Sequence, residues 1–451
     1  MLDSIETTKD IKIPKEPIER VIGQEEAVRI VKIAAKQRRN LLLIGPPGTG
    51  KSMVAQAMAS LLPKPTQEIS VIDNPENHNR PLVEIRTKKD IERENKFKKK
   101  LFKVIPAIDA PEFVAEKLGY RCKKCGFISS YKEEICPNCG AEKHSYSPFG
   151  DLVEKEEEEL KEGDYIFQRY DENSILVFKF DKKLIKKRKV IVPLDRKTFV
   201  QATGASETEL LGDVEHDPYG SHKELGSLPY TRVVAGAVHE AHEGVLFVDE
   251  IPTLGDLQRY ILTAMQEKKY PIVGKNPTST GAAVRVEDVP CDFILVAAAN
   301  IRDLSMILPP LLSRITGNGY QVLMKTYMEA TEENKLKLFQ FIAQEIENAR
   351  NIPHMKRDAM ELIAEVAKKK AKAIDNANGY TLRLRDIAGL IRIAGDSAVA
   401  DGSEFIEKKH VEEAIKNSKG VKESLKRDYG SLWKASFVDE GEENQANPSY
   451  A

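Results

Sequence analysis

The chain has 451 residues, 41% hydrophobic and 31% charged, with 69 Lys and Arg against 70 Asp and Glu for a net charge of −1. That balance removes the commonest signature of a dedicated nucleic-acid binder, and five cysteines are too few for a disulfide scaffold. No apolar run approaches the roughly 18–20 residues of a membrane helix and the charged start MLDSIETTKDIKIPKEPIER lacks a signal-peptide core, so a cytoplasmic protein with a sizeable core is expected.

After an N-terminal arm (1–16), helical spacing from Glu25 to Arg38 puts Val28, Ile30, Val31 and Ala34 on one side. Leu41-Leu-Leu-Ile44 then reads as a buried parallel strand. It runs directly into the glycine-rich Gly45-Pro-Pro-Gly-Thr-Gly-Lys-Ser52, and a helix is expected over Met53–Leu62. Residues 66–195 carry charge runs and a cysteine cluster, and read as an insertion. Within it a β-hairpin is expected, Tyr165–Tyr170 with Ile175–Phe180.

Regular patterning returns after 196. Val245-Leu-Phe-Val248 is an apolar strand ending at Asp249-Glu250, Leu257–Glu267 is helical, and Phe293–Ala298 is a second apolar strand leading to Asn300. Alternating strands and helices predict a parallel α/β sheet. That larger unit would run over 17–330, broken by the insertion. From 331 to 430 the pattern is helical throughout (331–349, 356–373, 383–400, 409–425), and 431–451 is a polar tail.

The motif at 45–52 has the strand–loop–helix context that a phosphate cradle needs. Its glycines let the backbone wrap phosphates, and a helix N-terminus favours their charge. Gly45, Pro46, Pro47, Gly48, Thr49, Gly50 and Met53 form the cradle. Lys51 would reach the β- and γ-phosphates of ATP, and the Ser52 hydroxyl would ligate Mg²⁺. At the strand end Asp249 would hold the magnesium shell and Glu250 would polarise the attacking water. Asn300, at the mouth of the next strand, would help fix that water, and Arg314 is a candidate arginine finger.

Together, Val21-Ile-Gly-Gln24, GPPGTGKS, LFVDE, the Ala-Ala-Ala-Asn strand end and Leu-Leu-Ser-Arg-Ile resemble an AAA+ ATPase. More narrowly, stretches such as ATGASETELLGDVEHDP, AVHEAHEGVLFVDEI, PCDFILVAAAN and TLRLRDIAGLIRIAGD resemble the ATPase module of archaeal B-type Lon proteases, over about 17–80 and 190–430. The resemblance implies a P-loop sheet sandwiched by helices, an α-helical lid, and a ring, expected as a hexamer, with ATP between subunits. Arg314 would then act on a neighbour's nucleotide, and Arg385 of the lid on its own subunit's, with Arg383 two residues away as the competing assignment. Val21 and Ile22 would line the adenine pocket. Such rings thread polypeptide past aromatic loops, for which Tyr219 and Tyr230 are the candidates, although a tyrosine beside Pro or Gly also serves to plug a turn.

Two departures from that family stand out. Where it carries membrane segments, this chain has Cys122-Lys-Lys-Cys125-Gly and Cys136-Pro-Asn-Cys139-Gly. Two C-x₂-C-G turns complete a tetrahedral S₄ site, here expected for structural zinc in a ribbon over about 118–145, with no open position for catalysis. Cys291, at a strand start, reads as core. The second departure is that the pattern stops after the lid, where the family continues into a serine–lysine peptidase domain. The expected function is thus an ATP-driven ring motor that unfolds or translocates polypeptide, served by a separate peptidase subunit if any. The alternatives are a stand-alone remodelling ATPase, or a nucleic-acid motor using the zinc ribbon.

Overall fold

The computed structural model describes residues 5–101, 103–143, 151–152, 165–179, 188–215, 228–274 and 284–418. In chain order, α1 (Glu25–Gln37) leads to β1 (Asn40–Ile44) and α2 (Lys51–Ser60). The inserted stretch follows with β2 (Gln67–Ile72), β3 (Leu82–Thr87), α3 (Lys88–Leu101), β4 (Lys103–Pro106) and α4 (Glu112–Lys117). It continues through β5 (Asp151–Leu152), β6 (Tyr165–Asp171), β7 (Ser174–Lys179) and β8 (Arg188–Val192). Then come β9 (Phe199–Gln201), α5 (Glu207–Leu211), β10 (Asp213–Val214), β11 (Val233–Val234), α6 (Ala237–Glu240), β12 (Val245–Val248) and α7 (Gln258–Glu267). A short pair, β13 (Ile272–Val273) and β14 (Arg285–Val286), precedes β15 (Ile294–Ala299), α8 (Pro309–Gly317) and β16 (Gly319–Leu323). Last are β17 (Tyr327–Glu329), α9 (Glu332–Ala349), α10 (Arg357–Asp375), β18 (Gly379–Thr381), α11 (Leu384–Ala400) and α12 (Lys408–Ser418).

Five strands form the main sheet in the order β16-β1-β15-β12-β9, all parallel. Its centre is apolar on both faces because helices cover both sides. Leu41 and Leu43 join Phe247, Val296 and Ala298 in a core with α1 and α2. Leu42 points the other way, with Leu246, Leu295 and Ala297, towards α6, α7 and α8. The period-2 alternation of a strand thus divides one leucine run between two cores. Helix α2 begins at Lys51, two residues before the expected start, because its first turn is the end of the phosphate loop.

The helical region has its own core, drawn from α9, α10, α11 and α12. It is not helical throughout: Tyr327 and Met328 pair with Thr381 and Tyr380 in a two-stranded sheet whose β-prone residues fit a pleat better than a helix. The N-terminal arm joins this core. Ile5 is buried in it, Thr8 N–H donates to Met355 O at 3.0 Å and Arg357 N–H donates to Glu6 O at 2.9 Å.

In the inserted stretch β2 pairs with β3 and β8, and Ile69, Val71 and Val192 pack against Val214, Val233, Ile272 and Val286 from the two short strand pairs β10–β11 and β13–β14. Arg86 and Arg188 form ion pairs with Glu68, Glu84 and Glu94 on this small sheet. Beyond it the hairpin β6–β7 turns at Glu172-Asn173, and its Ile175 packs against Val114, Leu118 and Tyr120. The Tyr120 hydroxyl donates to Asp171 O (2.7 Å) and Ser174 O (3.0 Å), tying the hairpin to the cysteine-bearing turns. Both roots of the insertion meet at one place. Glu243 accepts from Thr66 N–H, Thr66 Oγ1 and Gln67 N–H (2.7, 2.5 and 3.0 Å), while Arg196 donates to Gln67 O and His242 O, both at 2.8 Å.

Candidate functional site

A cleft of about 500 Å³ opens between the phosphate loop and the helical region, lined from the loop by Pro47, Gly48, Gly50, Lys51, Ser52 and Met53. Asp249 and Glu250 face it from the end of β12, and Phe341, Glu345, Leu384, Arg385 and Arg392 face it from α9 and α11. The loop is held open by local bonds. Lys51 Nζ donates to Gly45 O (2.8 Å) and Pro46 O (3.0 Å), and Thr49 Oγ1 donates to Pro46 O. Gly50 takes φ 87° before the first turn of α2, a conformation open to glycine.

The electrostatics suit a polyanion. Lys51 is only 7% exposed. Burial lowers its ammonium pKa, Asp249 and Glu250 pull it back up, and Arg385 lowers it again. Two cations beside a helix N-terminus favour bound phosphate. The residues present therefore fit a nucleoside triphosphate, with the Ser52 hydroxyl and the Asp249 carboxylate available to a divalent ion. Glu250 sits at φ 53°, ψ 52°, and its N–H donates to Asp249 Oδ1 at 3.1 Å. That left-handed turn follows directly on the end of β12, where both carboxylates line the cleft.

Other expected residues lie elsewhere. Asn300 lines an adjoining hollow with Pro46 and Pro47, its Nδ2 donating to Asp303 Oδ2 at 3.3 Å. Arg314 lies exposed on α8 and does not line its own chain's cleft. Arg385 faces the cleft, whereas Arg383 is taken by an ion pair with Asp375. Val21 and Ile22 are not among the cleft's lining: Val21 packs on the sheet core and Ile22, 3% exposed, on the helical core. Tyr230 is 5% exposed and packed with Val214 and Val233, so its ring is not offered to a pore. Burial in a turn won there. Tyr219 lies outside the described residues. Cys291 is buried, and burial pushes its thiol up to about 12.

Three contributors escaped the sequence reading. Gln24 bridges the loop and the exit of β16, donating to Thr49 O (3.3 Å) and Lys325 O (2.9 Å) and accepting from Lys325 N–H (3.0 Å). Thr203 Oγ1 accepts from Asp249 N–H at 3.2 Å. Arg392 pairs with Glu345 at 2.9 Å on the helical wall. The first two stand in the quoted stretches VIGQ and ATGAS, which were the available signal.

The four cysteines converge. The Sγ atoms of Cys122, Cys125, Cys136 and Cys139 all lie within 4.8 Å of one another, with Cys122–Cys139 at 3.7 Å and Cys125–Cys136 at 3.6 Å. Thiolates about 2.3 Å from one tetrahedral ion stand about 3.8 Å apart, so the set fits a metal. Backbone N–H groups of Cys125 and Lys124 hold the Cys122 thiol below its ordinary range, and that of Phe127 leads in holding Cys125 down, to about 6.

The family model described as magnesium chelatase, subunit ChlI, matches residues 17–99, and that of the Sigma-54 interaction domain matches 229–300. A putative Lon protease homologue of Thermoplasma volcanium is 53% identical over 475 residues, covering 98% of this chain and 95% of the relative. One of Methanothermobacter thermautotrophicus is 50% identical, covering 96% and 93%. An archaeal Lon protease of Thermococcus kodakarensis is 40% identical, and the match covers 93% of this chain but 62% of that protein. Among the described residues no helix is long and apolar enough to cross a membrane. The chain belongs to the Lon protease homologue family, as an AAA+ ATPase that resembles the ATPase half of archaeal Lon.

Proposed function

We propose that this chain assembles into a ring, a hexamer, in which ATP hydrolysis drives the unfolding or translocation of polypeptide. The observation that carries the reading is the division of the site. Lys51, Asp249, Glu250 and Arg385 share one cleft, while Arg314 is exposed outside it. A finger residue that cannot serve its own cleft is available to a neighbour's.

In this reading Lys51 and the loop N–H groups hold the β- and γ-phosphates. Ser52 and Asp249 would hold Mg²⁺, which when bound neutralises phosphate charge. Glu250 orients and deprotonates the attacking water, Asn300 helps fix it, and the Arg314 guanidinium of the adjacent subunit stabilises charge spreading over the transferred phosphoryl group. Arg385, on a helix of the lid, reports the state of the nucleotide to that lid. The four cysteines hold zinc as a closed structural centre that ties together the two short cysteine turns, which bury little apolar area of their own.

The test is ATP turnover measured with an unfolded protein and, separately, with DNA as stimulant. Stimulation by unfolded protein is expected. Stimulation by DNA alone would overturn the polypeptide reading in favour of a nucleic-acid motor.

A further inference from the structure

Lys143 is 1% exposed, shielded from solvent although it lies near the surface. Its Nζ donates to Ser129 Oγ (2.7 Å), Ser130 O (2.7 Å) and Ser129 O (3.4 Å). All three acceptors are neutral. Among the described residues no ion pair forms with it; Glu133, whose field reaches it, is itself exposed. The other groups whose charge bears on Lys143 are the thiols of Cys136 and Cys122, both buried. An ammonium shielded from water is strongly unfavourable without counter-charge, and the exposed Glu133 supplies one such charge from the solvent side while the two thiols are buried.

The cysteine centre adds a buried counter-charge in only one state. As free thiols or as two disulfides the cluster is neutral and leaves the ammonium with only the exposed Glu133. As four thiolates around a divalent ion it carries two negative charges in excess. We infer that Lys143 is the counter-charge of the cysteine centre, a positioning residue that favours a dianionic tetrathiolate around a divalent metal over neutral or oxidised forms. The inference rests on reading the four cysteines as a zinc site.

The lysine is built where this can work. Lys143 N–H donates to Glu134 O, and Ile135 bridges Glu142, so Lys143 closes the hairpin that carries Cys136 and Cys139. Ser129 and Ser130 follow the other hairpin, where Ser129 N–H donates to Tyr120 O and Cys122 N–H to Phe127 O. The ammonium therefore crosses from one cysteine hairpin to the other. A neutral staple could do the same, and the experiment has to separate the staple from the charge.

Zinc affinity of the full chain is measured by competition with a chromophoric chelator under reducing conditions, with Co²⁺ spectra reporting tetrahedral thiolate geometry. Lys143→Met should weaken zinc binding by about ten- to a hundredfold, the usual cost of losing a partner outside the ligand shell, and Lys143→Arg should restore most of it. The decisive arm repeats the substitution in a Cys139→His background, whose centre carries one negative charge fewer. There the Lys143→Met loss should shrink to about a few-fold, whereas a staple would lose the same factor in both backgrounds. Should the methionine variant not fold, Lys143→Gln keeps a donor without the charge and serves in both arms. An equal loss in the two backgrounds, or no loss at all, overturns the inference while leaving the zinc site standing. Wild-type protein that takes up no stoichiometric zinc and gives no tetrahedral Co²⁺ spectrum overturns the zinc reading, and the inference with it.

Discussion

Gly48 and Arg385 meet across the nucleotide cleft so closely that a methyl group built on Gly48 would lie 3.0 Å from Arg385 Cβ. The neighbouring Leu384 N–H donates to Gly48 O at 2.8 Å, so the helical region is fastened to the phosphate loop by its backbone. Gly48 also has φ +79°. Gly48→Ala combines strain of about 1–2 kcal/mol with a blocked contact. It should weaken ATP binding more than it lowers the melting temperature, measured by titration calorimetry beside thermal melts.

Glu250→Gln keeps the size of the side chain and removes the carboxylate proposed as the base. Turnover should drop by about 10²–10⁴-fold, while ATP affinity stays near wild type because Lys51 and the loop are untouched. Full turnover in this variant would remove Glu250 from the role.

Arg314→Ala should also bind ATP and fail to hydrolyse it, with a loss of about a thousandfold or more if it acts as a finger. Mixing the Arg314→Ala and Glu250→Gln proteins gives the sharper check. In a mixed ring some clefts pair an intact Glu250 with an intact Arg314 from next door, so activity should reappear. No recovery on mixing would place both residues in service of the same chain.

At the insertion root, Arg196 has 7% and Glu243 22% of its side chain exposed, and they stand 3.6 Å apart. Burial alone would raise the Glu243 pKa, but the hydrogen bonds from Thr66 and Gln67 outweigh it and hold the carboxyl below its usual range. Glu243→Ala leaves the guanidinium uncompensated and should cost about 3 kcal/mol in urea unfolding, with Glu243→Gln costing less. Because the folded pKa is depressed, this contribution is present above the ordinary carboxylate pKa and is lost as pH falls through the folded one.

His239 gives a second pH dependence of the same sign. It is fully buried, Gly236 N–H donates to its Nδ1, and its Nε2 donates to Tyr270 O at 2.9 Å. Burial drives its pKa down to about 4. The unfolded chain takes up the proton near the ordinary value of about 6.5, so stability should decline as pH falls from there towards about 4. Thermal melts between pH 7 and 5 should show that slope, and His239→Gln should flatten it.

Much of this architecture was legible in the sequence for local reasons. Unbroken apolar runs marked β1, β12 and β15, and residues adjacent in the chain, such as Lys51 with Ser52 or Asp249 with Glu250, reach the cleft together because each pair sits at a strand end or loop that the sequence already marks. What escaped depends on contacts distant in sequence. Gln24 reads as an unremarkable polar residue until Lys325 arrives beside it. Tyr230 looked like a loop aromatic because its partners, Val214 and Ile272, are contributed by separate strand pairs. The attachment of Ile5 to the helical core has no local signature at all.

The pairing of β2 with β8 has a further consequence for how such a chain can be modified. Ile72 and Arg188 face each other across that pair, so the polypeptide leaves and returns through adjacent strands. Everything suspended beyond them, cysteine centre included, enters and exits by a doorway the width of one strand pair. A tight turn joining β2 to β8 in place of that cassette should leave the register of the five-stranded sheet unaltered, because none of its strands lies between them. Its content can therefore change while the five-stranded sheet beneath it keeps its pairing.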